Sequence, residues 1–215
     1  MNLRKRQLLP QLMLKKPTAS QGSLRVQNML KDRRRALQAL LSDPDPGVRQ
    51  AAATALDAVE AVADLDQLLD RLKRGARDER IAAAYALERV NVAKVYPALL
   101  AALQSRDPDL RLVAVQVLGA KKHPKTLGAL ARMLNDLEPG IQAEAARVLS
   151  GFTDRRLPGY LAPLVNRGEQ VALAAIETLG VLAFPEGEEP LLKALVDERT
   201  QVRRLAAEML GRLSF

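Results

Sequence analysis

The chain has one histidine, His123, set in Lys121-Lys122-His123-Pro124-Lys125. An imidazole offers a general base or a metal ligand. Flanked by lysines and followed by Pro, it reads instead as a solvated turn residue, and one His cannot form a His-rich metal cluster. Cysteine is absent. That removes disulfides, thiolate nucleophiles, zinc–cysteine sites and iron–sulfur clusters together. No Gly-rich phosphate loop occurs. Glu186, Glu188 and Glu189 gather three acids in one loop, but acids at a helix start explain them. The expectation is a protein that is not an enzyme, with no cofactor and no metal.

The elements that would position any site follow from composition and period. Of 215 residues, 48% are apolar but only 3% aromatic, and Trp is absent. Such an Ala- and Leu-rich core suits thin layers of close helices better than a deep globular interior. No apolar run approaches the ~18 residues of a membrane span. Arg4-Lys5-Arg6 precedes a short apolar stretch that Gln and Pro interrupt, which does not read as a signal peptide; the expected compartment is the cytoplasm. The net charge of +8 is uneven: residues 1–35 carry ten bases and one acid, and the remainder is −1.

Self-similarity organises the rest. A Leu recurs at Leu56, Leu87, Leu118, Leu149, Leu179 and Leu210, spaced by 31, 31, 31, 30 and 31. Four residues before each stands Ala: Ala52, Ala83, Ala114, Ala145, Ala175 and Ala206. Eight before stands an apolar anchor, Val48, Leu110, Ile141, Val171 or Val202, broken once by Glu79. Fifteen before stands another Leu: Leu41, Leu72, Leu103, Leu134, Leu164 and Leu195. Anchor, Ala and closing Leu fall on one face of a helix, and the Ala admits a neighbouring backbone. Each period therefore predicts a helix pair. Asp45-Pro46 and Asp107-Pro108 mark helix starts, with Glu138-Pro139 a weaker version. Gly119, Gly180 and Gly211 follow the closing Leu, where a helix end is expected. A single pair cannot bury its stripe, so the pairs must stack. The predicted fold is all-α: a right-handed α-α superhelix, or solenoid, of six repeats of about 31 residues. The repeats lie near 24–64, 65–95, 96–126, 127–156, 157–187 and 188–215.

Segments such as DPDPGVRQAAATAL, DPDLRLVAVQVLG and DERTQVRRLAAEMLG resemble the HEAT-like repeats first noted in phycobilin lyases. The resemblance covers about residues 34–215. It implies an armadillo-like solenoid whose second helices line the concave face. It also implies a ladder in which the Arg after the anchor pairs with an acid near the turn. Arg49, Arg80, Arg111 and Arg203 match, whereas Gln142 and Ala172 depart, so the ladder is expected to break in repeats four and five. Enzymes on related repeats supply contrasts. Deoxyhypusine hydroxylase uses His-Glu pairs, queuosine-pathway reductases use iron–sulfur clusters, and alkylpurine DNA glycosylases use Trp, none of which this sequence has. A lyase-like role remains an alternative because those lyases lack a compact signature.

Residues 1–23 lie outside the pattern, with residues 16–23 reading as a linker and Ser23 as the cap of a long first helix. Leu8, Leu9, Leu12 and Met13 suit an end cap. Arg4, Lys5, Arg6, Lys15, Lys16, Arg33, Arg34 and Arg35 suit phosphates of nucleic acid or an anionic surface. Both readings stand. On the second helices, the columns two, six and ten residues past the anchor point outward and vary. There Ile81, Leu112 and Leu173, with Tyr85, either form an exposed apolar stripe or pack against neighbouring helices. The stripe is flanked by Arg89, Gln116, Arg147 and Glu177. Apolar stripes with Tyr and Arg suit protein interfaces. The expected function is a protein- or peptide-binding scaffold, with nucleic-acid binding through the basic segment as the alternative; the oligomeric state is left open.

Overall fold

The computed structural model describes residues 19–213, with side chains for 28–60 and 64–213. The described residues form six successive helix pairs, the α-solenoid class expected from the period. The chain divides into two compact units, Met1–Asp64 and Leu65–Phe215. The first holds the pair of repeat one and the second holds the other five.

In the first unit α1 (Ala19–Leu40) packs on α2 (Pro46–Ala63). Helix α1 begins before Ser23, so Ser23 is an interior residue and not its cap. Nothing between Ala19 and Leu40 forbids this: Gly22 costs a helix about 1 kcal/mol, and the segment has no Pro. Asp45 caps α2 as expected, its Oδ1 accepting from the Val48 N–H at 3.0 Å. An Arg34–Glu60 ion pair at 2.8 Å ties the two helices. Ala52 is buried, but Leu41 keeps 39% of its surface exposed and Val48 is also exposed.

The second unit stacks α3 (Leu65–Arg74) with α4 (Arg77–Ala86), and α5 (Val95–Ala102) with α6 (Pro108–Lys121). It continues with α7 (Leu127–Met133) and α8 (Pro139–Leu149), α9 (Leu157–Leu161) and α10 (Glu169–Leu182), and α11 (Glu188–Ala194) and α12 (Thr200–Leu210). The second helices α4, α6, α8, α10 and α12 pack in one continuous layer. The Ala column is buried throughout, as are Leu110, Ile141, Val171 and Val202. Leu72, Leu103, Leu134 and Leu164 are buried, whereas Leu195 is 36% exposed because no further described helix covers it. Glu79, the break in the anchor column, is itself a cap: its Oε2 accepts from the Ala76 N–H at 2.8 Å.

The spacing of 30 before Leu179 has a structural counterpart. Residues Ala162–Asn166 wind as a 3-10 helix, with Pro163 denying an α-helical donor. A 3-10 turn rises about 2.0 Å per residue against about 1.5 Å, so five residues gain about 2.5 Å, enough to replace the one that is missing.

Gly119 and Gly180 do not end helices. Both are buried inside α6 and α10. A Cβ on Gly119 would lie 2.5 Å from Val148 Cβ, and one on Gly180 would lie 2.7 Å from Met209 Cβ. They are points of helix contact, and the left-handed ends fall instead on Lys122 (φ 47°) and Ala183 (φ 49°).

The ladder also differs from expectation. Arg111 grips Asp136 with two bonds of 2.8 and 2.9 Å and also donates to the Ser105 carbonyl. Arg49 and Arg203 donate to turn carbonyls of their own repeats, Asp43 and Asp197 among them. Gln142 takes the same place with its Nε2 on the Asp136 carbonyl at 2.6 Å. Arg167 then donates to the Leu134 carbonyl and to Gln142 Oε1. Beside Ala172, Arg199 holds the carbonyls of Val165, at 2.9 Å, and Arg167. The expected ladder of Arg–acid pairs is thus seen at Arg111, while Arg49, Arg80 and Arg203 cap carbonyls. In the two gaps the carbonyls are capped as well, in repeat four by the Gln142 amide with Arg167 beside it and in repeat five by Arg199. Lys121, Arg167, Thr178 and Arg199 each cross to a backbone carbonyl of another repeat, and each reaches back to the preceding one.

Candidate functional site

The second helices set the outward columns, because their anchor, Ala and Leu positions are fixed inward by packing. Residues two and six past the anchor then turn toward the layer's outer surface, except at α8, where Ala143 in the first of these columns is fully buried. Ile81, Leu112 and Leu173 are half-buried there, between the exposed and packed alternatives. Leu112 and Leu173 lie on helices with a second helix packed on either side, Ile81 on one packed against α6, and all three still present apolar surface. Tyr85 is 46% exposed, and its hydroxyl donates to Gln116 Oε1 at 3.0 Å, bridging α4 and α6. That bond orients the ring across the groove between two repeats. Arg89, Arg147 and Glu177 are exposed. Arg147 donates to Glu144 one turn earlier at 3.3 Å, a surface pair of little energetic weight.

Between α8 and α10 lies a depression of about 120 Å³ lined by Arg147, Ser150, Glu177, Thr178 and Val181. Thr178 is buried at its floor and donates toward the carbonyls of Ala146 and Ala174. Val181, 58% exposed, extends the apolar surface at the third outward column. Its exposure was signalled by column position, ten residues past Val171, but an isolated Val carries no chemical signature. Tyr160 was missed for a different reason. It stands four residues before Leu164 on a first helix, which the outward columns of the second helices do not cover, and is exposed beside a cleft of about 460 Å³ that includes Phe152, Asp154 and Arg156.

Of the basic residues proposed for phosphate, Arg33, Arg34 and Arg35 are exposed on α1, and Arg34 is committed to Glu60. Arg4, Lys5, Arg6, Lys15 and Lys16 lie outside the described residues, as do Leu8, Leu9, Leu12 and Met13.

His123 is more structural than a solvated turn residue. Its Nδ1 accepts from the Lys125 N–H at 3.2 Å, capping the 3-10 turn Pro124–Thr126, and its ring sits 4.5 Å from that of Tyr96. Lys121 is titrationally shifted: burial pushes its ammonium below the ordinary range despite Glu88, and its Nζ donates to the Glu88 and Val90 carbonyls at 2.8 Å. Burial works to raise the Asp136 carboxyl, but the Arg111 guanidinium and the Glu138 N–H outweigh it and hold it below the usual carboxylate range. Arg199 and its own backbone N–H hold Asp197 down to about 2. These shifts belong to the turn edge, not to the second-helix face. Among the described residues no group of three or more acids or imidazoles is placed to hold a metal, and no helix is long and apolar enough to cross a membrane.

A profile of HEAT repeats matches residues 25–88 and 96–170. Among curated proteins no match in sequence was found. Solved structures resemble the chain in fold. A designed armadillo repeat protein in complex with the peptide (KR)4 superposes with a TM-score of 0.56 at 14% identity, over 84% of this chain and 99% of that one. The CpcE–CpcF complex of phycocyanin lyase from Nostoc sp. gives 0.50 at 24% identity, over 83% and 76%. Human deoxyhypusine hydroxylase gives 0.48 at 16%, over 89% and 98%.

Proposed function

The chain belongs to the HEAT-repeat family, and from that premise we propose that it is a non-catalytic scaffold whose second-helix face binds a segment of another protein. The observation that carries the reading is the apolar surface of α4 and α6, taken up again on α10 beyond the buried Ala143 of α8. Half-buried Ile81, Leu112 and Leu173 run beside the exposed, hydrogen-bonded Tyr85, with Arg89, Arg147 and Glu177 at the flanks. A ring fixed by one hydrogen bond loses little entropy on contact, and half-buried aliphatics beside it supply apolar area without unfolding the free protein. Gln116 and Glu177 offer acceptors and Arg147 donors to a partner backbone. The (KR)4 complex of the designed armadillo protein illustrates that a solenoid of this class can take a peptide; the residues that would do so here are argued from this chain alone.

Lysate of the native host, passed over immobilised full-length protein, tests the reading when the face is varied. A specific protein should be retained by the wild type and by an Arg33→Glu/Arg35→Glu variant, with or without nuclease. Tyr85→Asp/Leu112→Asp should release it while keeping wild-type helicity. Retention that survives the second variant, or that depends on the arginines and vanishes with nuclease, would overturn the proposal.

A further inference from the structure

A second surface, on the first helices, has its own chemistry. Helices α3 and α5 leave a furrow of about 570 Å³ between them. That size lies within the roughly 300–1,000 Å³ of ligand-binding clefts. Its floor is apolar: Leu69, Leu72, Pro97, Ala98 and Ala101 line it, and Leu72 is buried while Pro97 and Ala101 are exposed. The furrow exists because α5 turns a Pro and small Ala residues toward it, where larger side chains would have filled the gap.

Three cations from three different elements converge on the rim: Lys73 of α3, Arg80 of α4 and Lys94 just before α5. No carboxylate lines the furrow. Lys94 pairs with Asp66 at the outer edge. Arg80 spends its Nε on the Leu72 carbonyl at 3.2 Å, and neither it nor Lys73 has a carboxylate partner among the described residues. The carbonyl end of α3 accounts for Arg71, Lys73 and Arg74 as a group. That end also takes the Arg80 Nε, through the Leu72 carbonyl, and Asp66 takes Lys94, which leaves Lys73 and the terminal nitrogens of Arg80 on the furrow without a carboxylate.

We propose that the α3–α5 furrow docks an acidic amphipathic helix of a partner protein, its apolar face on Leu69, Leu72, Ala98 and Ala101 and its carboxylates on Lys73, Arg80 and Lys94. Apolar side chains at i, i+3 or i+4, and i+7 would follow the furrow, the usual mode for a helix seated in a groove. Acids on both flanks of that face would meet the rim, and steering by unpaired cations would make association fall with salt. An open furrow does not enclose a ligand on most sides as a fatty-acid site must, which favours a helix over a lipid tail. This surface is distinct from the second-helix face and does not depend on it.

Two synthetic helical peptides with the same Leu face, one flanked by Glu and one by Lys, are the probes, titrated by fluorescence anisotropy against the full chain, with oleate as a third ligand. The acidic peptide should bind at least roughly tenfold tighter than the basic one and weaken as salt rises. Lys73→Glu/Lys94→Glu should reverse the preference, and Tyr85→Asp/Leu112→Asp should leave it unchanged. The proposal fails if neither peptide binds, if both bind alike, if the charge reversal changes nothing, or if oleate alone binds.

Discussion

Lys122 and Ala183 occupy left-handed backbone although each has a Cβ. Such a conformation costs an L-residue roughly 1–2 kcal/mol, which Gly avoids. Ala183→Gly is therefore expected to raise stability by about 1 kcal/mol, read as a higher denaturation midpoint. Gly119→Ala should do the opposite. Helix propensity favours Ala by about 1 kcal/mol, but the new Cβ meets Val148 at 2.5 Å, and overpacking of that kind costs about 1–3 kcal/mol. The sequence marked Gly119 and Gly180 as special but assigned them the wrong task, because a glycine near a helix end looks the same whether it terminates the helix or admits a neighbour. At the same scale, Asp197 titrates at about 2 in the folded chain, against about 3.9 when unfolded. Its folded value is lower, so its contribution is full above about pH 4 and is lost as pH falls toward 2. Asp136 is shifted in the same direction. Asp136→Asn/Asp197→Asn should flatten the loss of stability across that range in an acid titration followed by circular dichroism.

The turns show at the level of elements how a repeat survives the loss of its signature residue. Of the four arginines expected to pair with acids, Arg111 does so, whereas Arg49, Arg80 and Arg203 hold backbone carbonyls instead; Gln142 and Ala172 stand in the gaps. The sequence had no means of seeing that Arg167 and Arg199, outside the column, reach the same carbonyls, since that depends on where neighbouring turns lie in space. Arg199→Ala would leave two part-buried carbonyls without their donor and should cost about 1–3 kcal/mol. Arg156→Ala removes a pair with Asp154 that is far more exposed and should leave the denaturation midpoint essentially where it is. The two variants compared in urea separate a structural cap from a surface pair. The short period before Leu179 was equally visible in the sequence, but its cause was not: a Pro-bearing 3-10 turn that lengthens the path per residue.

Across the whole molecule, burial is concentrated in the second unit. All of its second helices carry fully buried residues, whereas Ala52 is the buried core residue among those described in the first unit. Hydrogen exchange should accordingly be slowest in α6, α8 and α10 and faster by orders of magnitude in α2; comparable protection in α2 would contradict this. The architecture was legible because a periodic core writes itself into columns. The candidate face was legible only in part. Tyr85 could be singled out by column, but its bond to Gln116, the half-burial of Ile81, Leu112 and Leu173, and the furrow between α3 and α5 depend on the spacing between helices, which no single repeat encodes.

Lys121, Arg167, Thr178 and Arg199 all satisfy carbonyls of the repeat before their own. A ribosome delivers this chain in the opposite sense to that dependence. Repeats two, four and five leave the exit tunnel with some of their backbone acceptors still facing water, and acquire those partners only when the next repeat has been translated. Folding during synthesis should thus trail the growing chain at these junctions, and a nascent chain arrested after Gly187 should leave the Val165 and Arg167 carbonyls open to water, whereas one extended through the sixth repeat should close them with Arg199.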